Sequence, residues 1–296
     1  MRVGPVALIY RVERSFRVTR NSRKRLKLSS QLQQSWRHRR TARRTVEPSR
    51  RHFGNPGADP APPEIALIVG VGPGFGYALA KQLAHHGFIV AMASRNAERL
   101  DRLATEIHSG GGMAVAYGCD ATSESSVKEL FEHVCSQHGV PSLVVYSLQN
   151  FGPGETVDTE LAAFEDGWRH NCLGSFLVAR EAARAMLEPG RGTIVLTGST
   201  SSLLGRAGHL NLAVGKFGQR ALAQVLAREL WPKGIHVAHL VVDADIHEGE
   251  ERDDGGPQSN PHHIAQTVVA LHRQPASAWT SEIDIRPSNE RFWEHC

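Results

Sequence analysis

A glycine cluster that follows a short apolar run is the first stretch of this sequence with recognisable chemistry. Residues 65–76 read IALIVGVGPGFG, and the amphipathic segment YALAKQLAHHG comes directly after them. The pattern predicts a buried strand, a tight turn and a helix, with Gly70, Gly74 and Gly76 at the spacing G-x3-G-x-G. Glycines let the backbone approach a ligand closely, and a helix N-terminus offers unpaired N–H groups to a phosphate. The stretch therefore predicts a nucleotide site.

Polar residues after the next two predicted strands indicate which nucleotide would bind. The second strand ends in Ser94-Arg95, at a place where an acidic residue would instead accept the ribose 2′-OH of NAD. A serine–arginine pair suits the 2′-phosphate of NADP, so NADP is predicted in preference to NAD, with a merely solvated arginine as the alternative. Asp120 closes the third strand, where its carboxylate either accepts from an adenine amino group or caps the next helix; Thr122 and Ser123 are the other candidate caps.

Strands and helices alternate from Glu64 to the end of the chain. The predicted strands are 65–69, 88–94, 113–119, 142–147, 192–198, 235–242 and a short one at 282–285. The predicted helices are 74–86, 96–109, 123–138, a long helical region 159–187, 208–231 and 262–273. This alternation predicts one α/β domain over residues 61–296, a Rossmann-like doubly wound parallel sheet of about seven strands with helices on both faces. Ligands of such sheets bind beyond the carboxyl ends of the strands.

The charge of the chain is divided unevenly along its length. Residues 1–60 contain 16 Lys and Arg but only 3 Asp and Glu, whereas the remaining residues contain 18 and 27. The first segment predicts a basic, disordered extension. It has three readings: an extension without function, an organellar transit peptide, or an arm that binds nucleic acid, of which the last is the least favoured. An acidic loop at 247–256 predicts that anionic substrates are disfavoured if it closes over the site.

Composition limits the compartment and the kinds of partner. The four cysteines, Cys119, Cys135, Cys172 and Cys296, lack the pair spacing of a zinc site or a redox motif, so no metal is predicted. A reduced, cytoplasmic protein is the expectation, or an organellar one if residues 1–60 are a transit peptide. No apolar run approaches the roughly 20 residues of a membrane span, so no membrane partner is predicted.

Four stretches together resemble the short-chain dehydrogenase/reductase family, over about residues 64–286. They are VGVGPGFG, CDAT at 119–122, RHNCLGSF at 169–176 and TGSTSSLLGRAGHLNLAVGK at 197–216. The resemblance implies a catalytic Ser199, a catalytic and ribose-binding Lys216, and an active-site Asn171. It also implies cofactor contacts along the nucleotide site, at Gly70, Gly74, Phe75, Gly76, Ser94, Arg95, Asp120, Ala121, Ser147, Lys216 and Ile246.

The sequence departs from the family pattern where a proton is transferred. The family's catalytic tyrosine falls four residues before the lysine, and Leu212 occupies that position here. In this respect the chain resembles a divergent subgroup of the family that lacks the tyrosine. His209 lies seven residues before Lys216, on the same predicted helix face, and matches the acid position of the family's enoyl reductase branch. A histidine donates a proton near neutral pH, so His209 is a candidate donor. Lys216 itself, or a water ordered by Ser199 and Asn171, is the alternative.

Two functions follow from this reading. The first is an NADP(H)-dependent oxidoreductase that transfers a hydride between nicotinamide and a small alcohol or carbonyl substrate. The second is a dinucleotide-binding sensor or scaffold that is catalytically weak or silent, because Leu212 cannot transfer a proton. The resemblance also implies a homodimer or homotetramer, formed through the two long helices 159–187 and 208–231.

Overall fold

The structure is a computed structural model that describes residues 62–242, 245–246 and 258–290. The predicted basic extension 1–60 lies outside the described residues, as does the acidic loop 247–256. The described part of the chain is a layered α/β domain, in agreement with the predicted fold class.

Nine strands occur in the described residues, and seven of them form one parallel sheet. In chain order the strands are β1 (Ile65–Val69), β2 (Ile89–Ser94), β3 (Met113–Gly118), β4 (Leu143–Tyr146), β5 (Gly192–Gly198), β6 (Ile235–Val242), β7 (Asp245–Ile246), β8 (Gln258–Ser259) and β9 (Glu282–Ile285). The sheet order is β3-β2-β1-β4-β5-β6-β9, while β7 and β8 pair with each other. The seven predicted strands are confirmed, and the small β7–β8 pair is an element that alternating hydrophobicity does not reveal.

The helices of the described residues cover both faces of the sheet. They are α1 (Phe75–His85), α2 (Ala97–Ser109), α3 (Glu124–His138), α4 (Leu161–Trp168), α5 (Gly174–Leu187), α6 (Leu210–Leu230) and α7 (Pro261–His272). Local sequence explains several starts: the side chains of Asn96, Ser123 and Asn260 each accept a hydrogen bond from the first turn of α2, α3 and α7. Within the described part of the chain, no helix combines the length and apolar character that crossing a bilayer requires.

Each face of the sheet has its own apolar core. Along β1, Leu67 and Val69 belong to a cluster with α3, α5 and α6, whereas Ala66 and Ile68 belong to a cluster with α1, α2 and α7. All five residues of β1 are buried, as expected for a strand covered on both faces. The two cores hold the central strands rigidly, and this fixes the positions of the loops at their carboxyl ends.

The helical region 159–187 is not one helix. It begins with a 3₁₀ turn at Thr156–Asp158, continues as α4, passes through a π-helical segment at Arg169–Leu173 and ends as α5. Such π-helical turns often occur at functional sites. This one contains Asn171, whose side chain packs closely against Gly215 of α6.

The strand order reverses between β1 and β4. From β1 the chain proceeds outward to β2 and β3, and then returns to the other side of β1 as β4. In open α/β sheets the crevice at such a reversal, beyond the carboxyl ends of the strands, is where ligands bind. The loops after β1, β2, β4 and β5 therefore form the candidate site.

Candidate functional site

Two neighbouring cavities lie along the carboxyl ends of the strands at this reversal. One has a volume of about 470 Å³ and the other about 430 Å³. They share the following lining residues of the β1 and β4 loops: Gly70, Gly72, Ser147, Leu148 and Gln149. We call the first the catalytic cavity, because Ser199 and Lys216 line it, and the second the adenine cavity, because Arg95 and Asp120 line it. An elongated ligand such as a dinucleotide would span both.

The glycine turn between β1 and α1 is packed too closely for side chains at two positions. Gly70 has a positive φ of 99°, and a Cβ there would lie 2.8 Å from the backbone nitrogen of Leu148. A Cβ on Gly76 would lie 2.9 Å from the Cα of Val71. Glycine at these positions therefore lets strand, turn and helix pack against each other and against the β4 loop.

The N-terminus of α1 faces the cleft without a side-chain cap. Gly74 is the N-cap residue, and its carbonyl accepts from the N–H groups of Tyr77 and Ala78. The first N–H groups of a helix have no intrahelical acceptor, so this end suits a phosphate. Phe75 and Ile246 line the catalytic cavity beside it, and a Cβ on Gly74 would lie 3.6 Å from the Ile246 side chain. A pyrophosphate fits this position, because it needs backbone donors and little side-chain bulk.

The adenine cavity has a basic end formed by the β2 loop. Ser94, Arg95 and Arg99 line it, and Arg95 is exposed. Arg99 donates from Nη2 to the carbonyl oxygen of Val71, at 2.8 Å, which ties α2 to the glycine turn. The Arg99 Nε is buried and makes no hydrogen bond within the described residues. This end of the cleft can therefore receive an anionic group.

Asp120 lies at the other wall of the adenine cavity. Its Oδ1 accepts from the backbone N–H and the hydroxyl of Thr122, at 2.9 and 2.8 Å. Burial acts to raise the pKa of Asp120, but the hydrogen bonds from Thr122 together with the nearby charge of Arg95 outweigh it, and the pKa is lowered. Ser123, not Asp120, caps α3. The carboxylate thus stays charged beside Ala121, at the edge where an adenine amino group is predicted to bind.

Ser199 and Lys216 are brought together in the catalytic cavity from different elements. Ser199 follows β5 and is buried, and its Oγ accepts from the N–H of Ser201 at 3.2 Å. Its hydroxyl proton remains for donation to a ligand. Lys216 lies on α6 and is 1% exposed, and its Nζ donates to the carbonyl oxygens of Thr197 at 2.8 Å and Leu148 at 3.1 Å.

Two opposing effects act on the charge of the Lys216 side chain. Burial lowers the pKa of Lys216 to about 7, because the charged form loses its hydration. The carbonyls of Leu148 and Thr197 favour the charged form instead. We expect the lysine to change charge near neutral pH when the cleft is empty, and to be held charged when an anionic ligand lies beside it.

His209 enters the same cavity from the N-terminus of α6. It is the N-cap residue of this helix, and its ring stacks on Phe151 with centroids 4.8 Å apart. The Nδ1 atom lies 3.0 Å from the carbonyl oxygen of Ala207. Because a carbonyl only accepts, Nδ1 must carry a hydrogen, which leaves Nε2 to take or give a proton.

Neither Leu212, at the family's tyrosine position, nor Tyr146, at the end of β4, can take the place of His209. Leu212 lines the catalytic cavity and is 4% exposed, so an aliphatic side chain stands at the family's tyrosine position. Tyr146 is fully buried, and its hydroxyl donates to the backbone carbonyl of His170. Burial raises the pKa of Tyr146 above its usual range. Neither residue is available for proton transfer.

Asn171 lies beside the cleft and not in its lining. Its side chain is fully buried, with Nδ2 donating to the carbonyl of Asn150 at 2.7 Å and Oδ1 accepting from the Asn150 N–H at 3.0 Å. Asn171 therefore fixes the loop after β4, which contributes Leu148 and Gln149 to both cavities. The predicted support of a water molecule by Asn171 stays a prediction.

Several lining residues were not among the sequence-based candidates, and three of them bear on ligand binding. Gly72 lines both cavities, and a Cβ there would meet no heavy atom within 4 Å. Arg99 and Arg206 line the adenine and catalytic cavities respectively. Gly72 could have been suspected from its place in the glycine cluster. The arginines give no local signal, because exposed arginines at helix starts and in loops are common.

The cleft combines a glycine turn at a helix N-terminus, a hydroxyl group, a buried amine and an imidazole. These groups suit a bound dinucleotide and a substrate oxygen held by Ser199, with His209 as the proton-transfer group. Within the residues described, no group of three His, Cys, Asp or Glu side chains is placed to hold a metal ion.

Comparisons with known proteins agree with this geometry. The sequence profile of the family described as short chain dehydrogenase matches residues 64–244. Sorbitol-6-phosphate 2-dehydrogenase of Escherichia coli K12 is 34% identical over 182 residues, which cover 60% of this chain and 70% of that protein. The human 3-oxoacyl-[acyl-carrier-protein] reductase is 28% identical over 190 residues, covering 64% of this chain and 78% of that protein.

Solved structures have the same fold. A short-chain dehydrogenase from Rhodopseudomonas palustris is 36% identical, with a TM-score of 0.69 over 76% of this chain and 98% of that one. A metagenomic short-chain oxidoreductase, solved in complex with NADP, is 24% identical, with a TM-score of 0.67 over 76% of this chain and 97% of that one. At that lower identity the second similarity concerns the fold alone.

Proposed function

The chain belongs to the short-chain dehydrogenase family, and we propose that within this family it is an NADP(H)-dependent oxidoreductase acting on a small alcohol or carbonyl compound. The observation that carries the proposal is the single cleft at the strand reversal. In it the glycine turn, Ser199, Lys216 and His209 lie around two adjoining cavities.

The cofactor would lie along both cavities. The N-terminus of α1, with Gly74, Phe75 and Gly76, would bind the pyrophosphate. Asp120 and Ala121 would contact the adenine, and Ser94 and Arg95 its 2′-phosphate. Toward the catalytic cavity, Ser147, Lys216 and Ile246 would hold the nicotinamide half.

The side chains of the catalytic cavity divide the chemistry among them. When bound, NADP(H) supplies or accepts the hydride. In carbonyl reduction the carbonyl carbon gains this hydride and the oxygen gains one proton. Ser199 would hold that oxygen through its hydroxyl, and His209 would deliver the proton from Nε2. In alcohol oxidation the same His209 nitrogen would receive the proton.

Turnover of NADPH with a panel of ketones and aldehydes tests this function. We expect NADPH oxidation by the wild type, none by Lys216→Ala and a strongly reduced rate in Ser199→Ala. Ser136→Ala, at an exposed serine, is the matched control and should keep the wild-type rate. Activity that survives Lys216→Ala would come from a contaminant. Calorimetry with NADPH is run in parallel, because binding without any turnover would support the silent sensor that Leu212 suggests.

The preference for NADP over NAD rests on the basic end of the adenine cavity. Arg95 and Arg99 line it, and no acidic residue follows β2 within the described residues before Glu98. We expect NADPH to bind more tightly than NADH, with a ratio of dissociation constants that falls about tenfold in Arg95→Gln or Arg99→Gln. Arg102→Gln, at an exposed residue of α2 that lines neither cavity, is the control. Equal affinities of the wild-type protein for NADPH and NADH would contradict the predicted preference for NADP.

The oligomeric state is proposed from the same family membership. The resemblance implies a homodimer or homotetramer through the faces of α5 and α6, and these faces expose large apolar side chains.

The relatives are named for different substrates, a sugar-alcohol phosphate and a 3-oxoacyl-[acyl-carrier-protein]. Their names therefore do not narrow the proposed substrate class beyond alcohols and carbonyls.

A further inference from the structure

Arg206 is a half-buried cation in the catalytic cavity that the mechanism above does not use. It lies on the segment between β5 and α6, seven residues after Ser199 and three before His209, and it lines the cavity with both of them. The residue is half-buried, but its Nε and Nη2 atoms are buried and make no hydrogen bond within the described part of the chain.

A guanidinium group in this condition lacks the partners that burial normally demands. Removing a charged donor from water is costly unless an acceptor replaces the lost hydration. Arginine presents parallel N–H groups whose geometry matches the two oxygens of a carboxylate or a phosphate. The missing acceptor is therefore best supplied by a bound anion.

The charged residues that line the cavity also favour an anionic ligand. Its described lining includes Arg206, Lys216 and His209 but no Asp or Glu. The Lys216 ammonium already donates to the carbonyls of Leu148 and Thr197, whereas the buried Nε and Nη2 atoms of Arg206 have no acceptor within the described residues. An anionic substrate would meet one uncompensated positive charge and no carboxylate from these residues.

Backbone hydrogen bonds fix the segment that carries Arg206 beside His209. The N–H of His209 donates to the carbonyl of Arg206 at 3.2 Å, and the N–H of Gly154 donates to the carbonyl of Gly208 at 3.1 Å. Arg206 does not line the adenine cavity and is not part of the glycine turn. A substrate whose carbonyl is held by Ser199 would therefore lie in the same cavity that Arg206 lines.

We propose that Arg206 is a specificity-determining residue that binds a carboxylate or phosphate on the substrate. This proposal rests on the proposed function and narrows its substrate class to anionic oxo or hydroxy compounds. It runs against the expectation that the acidic loop 247–256 disfavours anions; that loop lies outside the described residues.

Paired substrates provide the first test. NADPH oxidation is measured with acetoacetate against methyl acetoacetate, and with dihydroxyacetone phosphate against dihydroxyacetone, for wild type, Arg206→Gln and Arg206→Lys. In at least one pair we expect kcat/KM to favour the anion at least tenfold. Arg206→Gln should abolish this ratio mainly through KM, and Arg206→Lys should retain part of it. Arg191→Gln, exposed at the opposite end of β5, is the matched control.

Binding without turnover provides the second test, which does not depend on catalysis. Acetate and inorganic phosphate are titrated into NADP-saturated protein while Tm is recorded. We expect at least one anion to raise Tm in wild type and in Arg191→Gln, but less in Arg206→Gln. If neither anion distinguishes the variants and neither substrate pair shows a preference, the proposal is wrong. A weaker NADP affinity in Arg206→Gln, with no change in the kcat/KM ratio within each substrate pair, would instead assign Arg206 to the cofactor.

If no substrate is turned over but the anions still raise Tm, only the oxidoreductase proposal is overturned.

Discussion

Proton transfer is the step for which this chain has an unusual set of residues, because Leu212 stands where the family pattern has a tyrosine. His209 lines the same cavity, and its Nδ1–H is engaged by Ala207, so Nε2 is left for the proton. We predict that His209→Gln lowers kcat for carbonyl reduction by about 10²–10⁴-fold, the usual contribution of a general acid. Steady-state NADPH oxidation measures this effect.

Two further variants separate catalysis from folding at this position. His133→Gln changes an exposed histidine on α3 and should leave kcat unchanged. Adding Leu212→Tyr to His209→Gln should recover part of the lost rate, because both side chains line one cavity. If His209→Gln retains full activity, the proton comes from Lys216 or from water.

The charge of Lys216 should appear in the pH dependence of stability. Its folded pKa of about 7 lies below the ordinary value of 10.5, so between these values the unfolded chain holds a proton that the folded cofactor-free protein has released. Stability therefore rises with pH in this window, by about 1.4 kcal/mol per pH unit, and below pH 7 the contribution is flat. We predict that wild type gains about 1–2 kcal/mol relative to Lys216→Met between pH 7 and 8.5.

Urea unfolding at pH 7 and 8.5 measures this difference. Lys128→Met, at an exposed lysine of α3, should behave as wild type. The window stops at pH 8.5 because burial raises the pKa of Cys119, which lowers the stability of both proteins at more alkaline pH. A pH-independent difference would show that the carbonyls of Leu148 and Thr197 keep the lysine charged.

At the scale of elements, hydrophobic patterning predicted the sheet well and the helical region after β4 less well. Strands such as 192–198 and 235–242 agree with the structure, because buried parallel strands are short, continuous apolar runs. The region 159–187 reads as one helix, but packing of Asn171 against Gly215 of α6 accompanies a π-helical turn within it. Such packing is set by distant residues and leaves no periodic signal.

Some residues of the candidate site can also be identified from local sequence, whereas others depend on contacts between distant residues. The glycine turn, Ser199 and Lys216 occupy positions that a motif and its spacing identify, and the structure places them around one cleft. Arg206 is indistinguishable from any loop arginine in the sequence. Its importance depends on burial and on the absence of a carboxylate among the described lining residues, which only the folded arrangement reveals.

The glycine turn yields a prediction that contrasts two of its residues. A Cβ on Gly72 meets no heavy atom within 4 Å, whereas a Cβ on Gly76 would lie 2.9 Å from the Cα of Val71. Gly72→Ala should therefore keep the free energy of unfolding within about 1 kcal/mol but weaken NADP binding about tenfold, because the methyl group enters the cleft. Gly76→Ala should destabilise the protein by about 1–3 kcal/mol.

Calorimetry with NADP and urea unfolding distinguish the two effects. Gly110→Ala, at the C-cap of α2 and away from both cavities, is the control for adding a methyl group. Unchanged NADP affinity in Gly72→Ala would mean that the cofactor does not approach this part of the turn.

At the scale of the whole molecule, the described residues leave large apolar side chains exposed on two helices that cover one face of the sheet. Phe176 of α5 and Phe217 of α6 are 40% and 43% exposed, and Val214 and Val225 of α6 are 40% and 51% exposed. The two helices are neighbours in the fold. Large exposed apolar side chains on neighbouring helices are typical of surfaces that another protein covers, and we predict that a second copy of the chain covers this one.

We predict that Phe217→Asp dissociates this assembly. A carboxylate at the centre of an apolar interface loses its hydration without a partner, so self-association should weaken by at least 100-fold, equivalent to about 2.7 kcal/mol. Sedimentation equilibrium of wild type and variant measures the mass directly. Val140→Asp changes a residue that is 37% exposed in the loop before β4, and this control should keep the wild-type mass. A monomeric wild type would contradict the prediction, and an intact oligomer in Phe217→Asp would place the interface on another face.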